Sequence, residues 1–175
     1  MLTMSPKSKV YIDGANVFYT QKKLGWSIDW VKARRFIEVN HDVLEWRYYV
    51  GLKNGDEKMR SYLKYLHAIG FVAVTKPLKK IKVTDIENHP RAQDGFIYKA
   101  NFDVEMTTDI LLDRVALDEI ILFSGDSDFA YLAQKLRDAG RKVSVYGSKK
   151  TISWELKLAA SAVVYMENIL DQIRR

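Results

Sequence analysis

Short apolar runs alternate with amphipathic stretches along the whole chain, and this alternation constrains the fold more than any other feature. The runs KVYI, VLEWRYYVGLK, FVAVTKP, DEIILFSGD, RKVSVYG and AVVYME are rich in β-branched and aromatic residues, as strands are. Between them lie segments with helical periodicity, several closed by a glycine: Gly25, Gly70 and Gly140. Strands that alternate with helices pair in parallel, because each return carries a helix across one face of the sheet. The expected architecture is therefore a mostly parallel central sheet covered on both faces, with right-handed crossovers. A length of 175 residues fits one domain, placed at 9–175 behind a polar arm at 1–8.

The periodicity also predicts helix faces. Ile28, Val31, Phe36 and Val39 line up on the second helix, with Ser27 or Asp29 as its cap. Met59, Leu63, Leu66 and Ile69 line up on the third. In FDVEMTTDILLDRVAL, Val104, Ile110, Leu111 and Val115 are expected to point inward. From Leu78 to Gly95 the pattern weakens, which predicts a hairpin arm or an exposed loop.

In a parallel sheet of this kind the ligand lies beyond the carboxyl ends of the strands, where strand order reverses. Asp13 follows the first strand, and ILFSGDSDFAYL places Asp126 and Asp128 directly after another. Asp103 opens the helix that starts at Phe102 and can reach the same edge. Asp109 lies six residues further on, a rotation of about 600°, so it lines the next turn as a supporting or core-edge group. Taken singly, each acid has a structural explanation: Asp13-Gly14 as a turn, Asp126 and Asp128 as helix caps. Taken together they place several carboxylates at one spot, where they repel unless a cation joins them. Mg²⁺ and Mn²⁺ suit such oxygen donors, and either can assist phosphodiester hydrolysis.

Composition narrows the alternatives. The chain has no cysteine, which excludes disulfides and thiolate metal sites. His41, His67 and His89 are too scattered for a histidine metal site. The start, MLTMSPKSK, has no apolar region like that of a signal peptide, and no apolar run is long enough for a membrane helix. A cytoplasmic location is expected, with no membrane association. A net charge of +6 suits an anionic partner. Lys79, Lys80 and Lys82 crowd the 78–95 arm, with Lys76, Arg91 and Lys99 near them. Lys149 and Lys150 follow the VSVY strand, at the edge that carries the acids. These lysines are candidate phosphate contacts, and Tyr19, Phe96 and Tyr98 are candidate stacking residues.

Three blocks, VYIDGANVFY, FDVEMTTDILLD and ILFSGDSDFAYLAQKLRDAGRKVSVYG, resemble the signature blocks of the NYN domain. This is the branch of the PIN-like nuclease superfamily that contains the LabA-like (DUF88) proteins. The resemblance runs from Lys9 to about Ile169 and implies a Rossmann-like three-layer α/β/α sandwich with a metal-dependent ribonuclease site. It implies Asp13 and Asn16 in the first block, Asp103 and Asp109 in the second, and Ser124, Asp126 and Asp128 in the third. Many relatives carry a Lys-Gly pair just before the second-block aspartate. Here the stretch is YKANFD, so no role is assigned to Lys99.

The leading expectation is hydrolysis of single-stranded or structured RNA by water. Asp13, Asp103 and Asp126 would hold Mg²⁺ or Mn²⁺, with Asp128 as a fourth ligand or water-orienting group and Asn16 and Ser124 orienting the ligands. A non-catalytic RNA-binding or regulatory module on the same fold is the alternative. A phosphatase with a nucleophilic aspartate ranks last, because Asp13-Gly14-Ala15-Asn16 lacks a second aspartate two residues on. Self-association is left open.

Overall fold

Six strands form the central sheet: β1 (Lys7–Asp13), β2 (Asp42–Leu52), β3 (Phe71–Pro77), β6 (Glu119–Phe123), β7 (Lys142–Gly147) and β8 (Ala162–Tyr165). Their order is β3-β2-β1-β6-β7-β8, and every neighbouring pair is parallel. The remaining strands, β4 (Lys79–Lys82) and β5 (Phe96–Lys99), form a separate antiparallel ribbon. The structure, a computed structural model, describes residues 5–83 and 95–175. Of the stretch Leu78 to Gly95, expected as a hairpin arm or an exposed loop, β4 is described and pairs with β5, which follows Gly95; residues 84–94, with His89 and Arg91, lie outside the described residues.

The alternation of side chains along the strands separates two cores. Val10, Ile12, Ile121 and Phe123 face one side, against α1 (Gly14–Leu24), α2 (Trp30–Glu38), α3 (Glu57–Ala68) and α7 (Leu170–Ile173). Tyr11, Ile120, Leu122, Val143 and Val145 face the other, against α4 (Asp103–Leu111), α5 (Ala130–Asp138) and α6 (Trp154–Ala159). This is the three-layer α/β/α sandwich that the alternation predicts. Buried aromatics fill the first core, and their polar tips are satisfied. Trp30 packs edge-on to Tyr48, Phe71 and Phe123, and its indole N–H donates to the Tyr62 hydroxyl at 2.7 Å. Among the described residues no helix is long and apolar enough to cross a membrane.

Two helix faces differ from expectation. Asp29 caps α2 by accepting from the N–H groups of Val31 and Lys32. The face it buries is Trp30, Ala33 and Ile37, while Val39 is exposed and Ile28 is buried ahead of the helix, in a bridge with Arg174. The bulky indole takes the sheet-facing position and sets the rotation. On α4 the buried residues are Met106 and Ile110; Val104 is 76% exposed, and Leu111 and Val115 are exposed as well. Two contacts fix that rotation: Phe102 is buried at the helix start against Tyr49, and Asp109 is tied to β2. The helix also stops at Leu111, before Val115 is reached. The α3 stripe is as expected, with Leu66 buried and Met59, Leu63 and Ile69 packed around it.

Candidate active site at the carboxyl edge of the sheet

Strand order reverses between β1 and β6, since the chain leaves β1 toward β2 on one side and reaches β6 on the other. The two strands are in register, with Ile12 opposite Phe123, so Asp13 and Ser124 emerge side by side. A relay of hydrogen bonds then locks the two strand ends together. The Ser124 hydroxyl donates to Asp13 Oδ2 at 3.3 Å and accepts from the Asp126 N–H at 3.1 Å. Asp13 Oδ1 caps α1 by accepting from the Asn16 N–H at 3.0 Å. The Asn16 side-chain oxygen crosses back to accept the Gly125 N–H at 2.9 Å. Asp126 Oδ1 accepts from the Asp128 N–H at 3.1 Å and caps the 3-10 turn Ser127–Phe129. Asp13 and Asp126 are thus caps and neighbours of one another at once. Asn16 and Ser124 hold both in place.

Two glycines let the backbone close around this relay. A Cβ on Gly14 would lie 2.5 Å from the Tyr49 carbonyl oxygen, and one on Gly125 would lie 2.8 Å from the Thr151 carbonyl oxygen. Gly125 sits under the loop that follows β7, whose Ser153 N–H donates to the Gly125 carbonyl at 2.8 Å. Thr151 and Thr20 share a hydroxyl hydrogen bond of 2.9 Å, which joins this loop to α1. Lys149 and Lys150 belong to the same loop, so the structure brings them to the acid-bearing edge. Glu167, past the end of β8, fastens the loop by accepting from the Ser148 hydroxyl (2.7 Å) and the Lys149 N–H (3.0 Å).

Asp103 arrives from the other direction. It is the first residue of α4, and its N–H donates to the Asn101 side chain at 2.9 Å. Burial raises its carboxyl pKa, the Asn101 contact opposes this, and the charges of Asp126 and Asp128 raise it further. Contact with the Asp128 side chain acts in the same direction. Burial, chiefly, pushes the Asp13 pKa up to about 6. The hydrogen bonds from Asn16 and Ser124 oppose that rise, and the charges of Asp103 and Asp126 add to it. Among the described residues no lysine, arginine or histidine forms an ion pair with Asp13, Asp103, Asp126 or Asp128.

Asp109 stands apart from this group. Its Oδ2 accepts from Arg47 (2.9 Å) and from the Tyr49 hydroxyl (2.7 Å), which anchors α4 to β2 at the core edge. The ribbon adjoins the site by connectivity: β4 follows β3 at the carboxyl edge, and β5 leads through Asn101 into Asp103. Lys79, Lys80 and Lys82 are exposed on it, and Lys80 lies over the Phe96 ring at 3.9 Å. Lys76 pairs with Glu105 at 2.5 Å, tying β3 to the first turn of α4. Tyr98 lies under Lys53, and Tyr19 is partly exposed on α1 beside Phe18. The loop fastening by Glu167 and the steric role of Gly125 have no separate signature in the sequence, because both depend on strands distant in the chain.

The donor set consists of hard carboxylate oxygens without a paired cation among the described residues, the kind of donor that Mg²⁺ and Mn²⁺ prefer. As the side chains stand, no group of three His, Cys, Asp or Glu residues among the described residues is gathered closely enough to hold a metal ion. Mg²⁺ sites commonly use only one or two carboxylates and keep several waters.

An acidic cluster at the reversal point of a doubly wound sheet, built on these three sequence blocks, defines a PIN-like domain. Residues 7–167 match the NYN domain, and the chain belongs to that family. It is 29% identical over 168 residues to the low amplitude and bright protein LabA of Synechococcus elongatus, covering 95% of this chain and 87% of that relative. A crystal structure of a Vibrio parahaemolyticus protein of unknown function superposes with a TM-score of 0.77 at 22% identity, over the full length of both chains. That likeness concerns the fold.

Proposed function

We propose that this chain is a metal-dependent ribonuclease whose site is the carboxyl edge between β1 and β6. The observation that carries the reading is the convergence of Asp13, Asp103, Asp126 and Asp128 without a cation partner among the described residues, at an edge that also carries basic side chains. Asp13, Asp103 and Asp126 would hold Mg²⁺ or Mn²⁺, with Asp128 as a further ligand or a group that orients water. The bound ion would supply Lewis acidity toward the phosphodiester and the attacking water. The protein's own part is placement. Asn16 and Ser124 fix the rotamers of Asp13 and the backbone of Gly125–Asp126 through the relay of 2.9–3.3 Å bonds. Lys149 and Lys150 on the neighbouring loop, and Lys79, Lys80 and Lys82 on the ribbon, offer positive charge to the phosphates on either side of the scissile bond.

Asp126→Asn tests the reading. Asparagine caps a helix about as well as aspartate, so the fold is expected to survive. RNA cleavage in Mn²⁺ is expected to fall by at least about 100-fold, and the rise in melting temperature on adding Mn²⁺ to shrink. A parent protein whose melting ignores divalent ions, with the variant cutting RNA at the parent rate, would leave Asp126 a cap and nothing more.

A further inference from the structure

Two large aromatic rings stand in solvent beside the acid cluster, and neither is explained by packing. Tyr131, in the first turn of α5, is 74% exposed; Trp154, the first residue of α6, is 65% exposed. Both flank the Gly125–Asp128 segment. Tyr131 comes two residues after the turn that Asp126 caps, and Trp154 follows Ser153, whose N–H is bonded to the Gly125 carbonyl. Helix α6 packs against both that turn and α5.

Each ring carries a lysine. Lys135 lies 5.4 Å from the centre of the Tyr131 ring, and Lys157 lies 5.3 Å from that of Trp154. Such pairs one turn apart are common on helix surfaces and would mean little alone. This array, however, continues across elements distant in sequence. Lys157 is also 5.9 Å from the Tyr165 ring at the end of β8, and Lys149 approaches that ring to 5.4 Å. Trp154, Lys157, Tyr165 and Lys149 therefore form an alternating line of ring and cation. It ends in the loop that lies on Gly125, beside the carboxylates. Two acids lie among these residues: Glu167, whose Oε1 accepts from the Ser148 hydroxyl and the Lys149 N–H, and Glu155 in the first turn of α6.

Rings spaced by cations offer stacking planes and phosphate contacts in turn, which is how unpaired nucleotides are held without sequence preference. A duplex keeps its bases stacked inside and cannot use such planes. We propose that Trp154 and Tyr131, with Lys157, Tyr165 and Lys149, form a track that binds an unpaired RNA strand and leads it to the carboxylate edge. The track selects single strands over duplex. It rests on the proposed function above, whose site it feeds.

The test is a binding titration in EDTA, where no metal-dependent cleavage takes place. Trp154 is the most exposed of the four tryptophans, since Trp30 and Trp46 are buried and Trp26 is partly so. A single-stranded oligouridylate about twelve nucleotides long is expected to quench the tryptophan emission. Trp154→Ala is expected to weaken its binding on the order of 10-fold, and Trp154→Phe to restore most of the affinity. An abasic phosphodiester chain of equal length should bind the parent and Trp154→Ala alike. Equal affinity of the parent for single strand and duplex, or an unchanged affinity in Trp154→Ala, would overturn the track. So would a parent that sediments as an oligomer and becomes monomeric in Trp154→Ala, because the face would then be an interface between copies. The outcomes are separable from those of the cleavage assay. A protein that cuts RNA in Mn²⁺ yet fails this titration keeps its site and loses its track. One that passes the titration without Mn²⁺-dependent cutting keeps the track as a binding surface.

Discussion

The two ends of the central sheet treat buried carboxylates in opposite ways. At the amino end Glu119 is only 2% exposed, yet Lys142 reaches it at 3.1 Å and His41 at 3.3 Å. On the face beneath α4, Lys9 pairs with Asp113 at 2.5 Å and Arg47 with Asp109 at 2.9 Å. The acids Glu119, Asp113 and Asp109 are thus supplied with cations from this chain. At the carboxyl edge Asp13, Asp103, Asp126 and Asp128 have hydrogen bonds but, among the described residues, no ion pair. A chain with 28 basic residues does not lack cations to place there. The contrast argues that the second group is matched to a charge that comes from outside.

The sharpest way to break this comparison is to mutate both ends and compare the sign. Lys142→Met leaves the buried Glu119 with His41 alone, and is expected to cost about 1–2 kcal/mol. The loss stays below the range for broken buried pairs because Lys142 itself is half exposed. Asp13→Asn removes a charge that burial and its neighbours disfavour, and is expected to stabilise the metal-free protein by about 1–2 kcal/mol. Denaturant melts in EDTA check both. Equal losses from the two variants would mean that the edges do not differ in kind.

A pH series tests the same contrast at Asp13. The folded Asp13 titrates near 6, above the ordinary range near 4 of an unfolded chain. Below about pH 4 the group is neutral in both states and costs nothing. Between about pH 4 and 6 the unfolded chain releases its proton while the folded group holds it, so the metal-free fold loses about 2–3 kcal/mol and then levels off above about 6. The raised pKa of Asp103 acts in the same direction. Mn²⁺ needs the ionised carboxylate, so its stabilising effect should grow over the same interval. The parent-minus-Asp13→Asn difference in melting temperature from pH 4 to 8 isolates the group. A difference that stays constant with pH would remove Asp13 as its source.

Much of this was legible in the sequence, for a physical reason. The parallel sheet and its acid-bearing edge follow from period-two and helical patterns joined to one rule about strand ends. Asp13, Asp126 and Asp128 lie next to their strands in sequence, so their edge could be named before their contacts were known. Which face of a helix is buried was less legible. On α4, Val104 and Leu111 look as apolar as Met106 and Ile110. The choice is made by Phe102 on Tyr49 and by Asp109 on Arg47, contacts with a strand some fifty to sixty residues earlier. A rotation of about 600° past Asp103 already set Asp109 apart from the edge acids, but its partners were hidden in the same way. In the primary sequence it is one more acid in an acidic block, and only the fold shows that Arg47 and Tyr49 engage its Oδ2. Trp154 and Tyr131 were unreadable as surface rings, since an aromatic at helical spacing usually enters the core.

The smallest expected effect concerns the cations that stand beside the unpaired acids. Lys79 and Lys80 are exposed on β4, in a ribbon that leads directly into Asp103. If they touch phosphates, replacing both with alanine removes two counterion-releasing contacts. The slope of log K against log salt for a single-stranded RNA should then flatten by about 1.4, at roughly 0.7 per contact. Affinity near 0.1 M salt should fall only about tenfold, alike for every sequence, because phosphates carry no base information. Arg114 provides the control: it is exposed in the loop between α4 and β6, at the amino edge of the sheet. Arg114→Ala is expected to leave the slope unchanged. A slope that responds equally to both replacements would show attraction by overall charge, and the difference between the two edges would not extend to the basic residues around them.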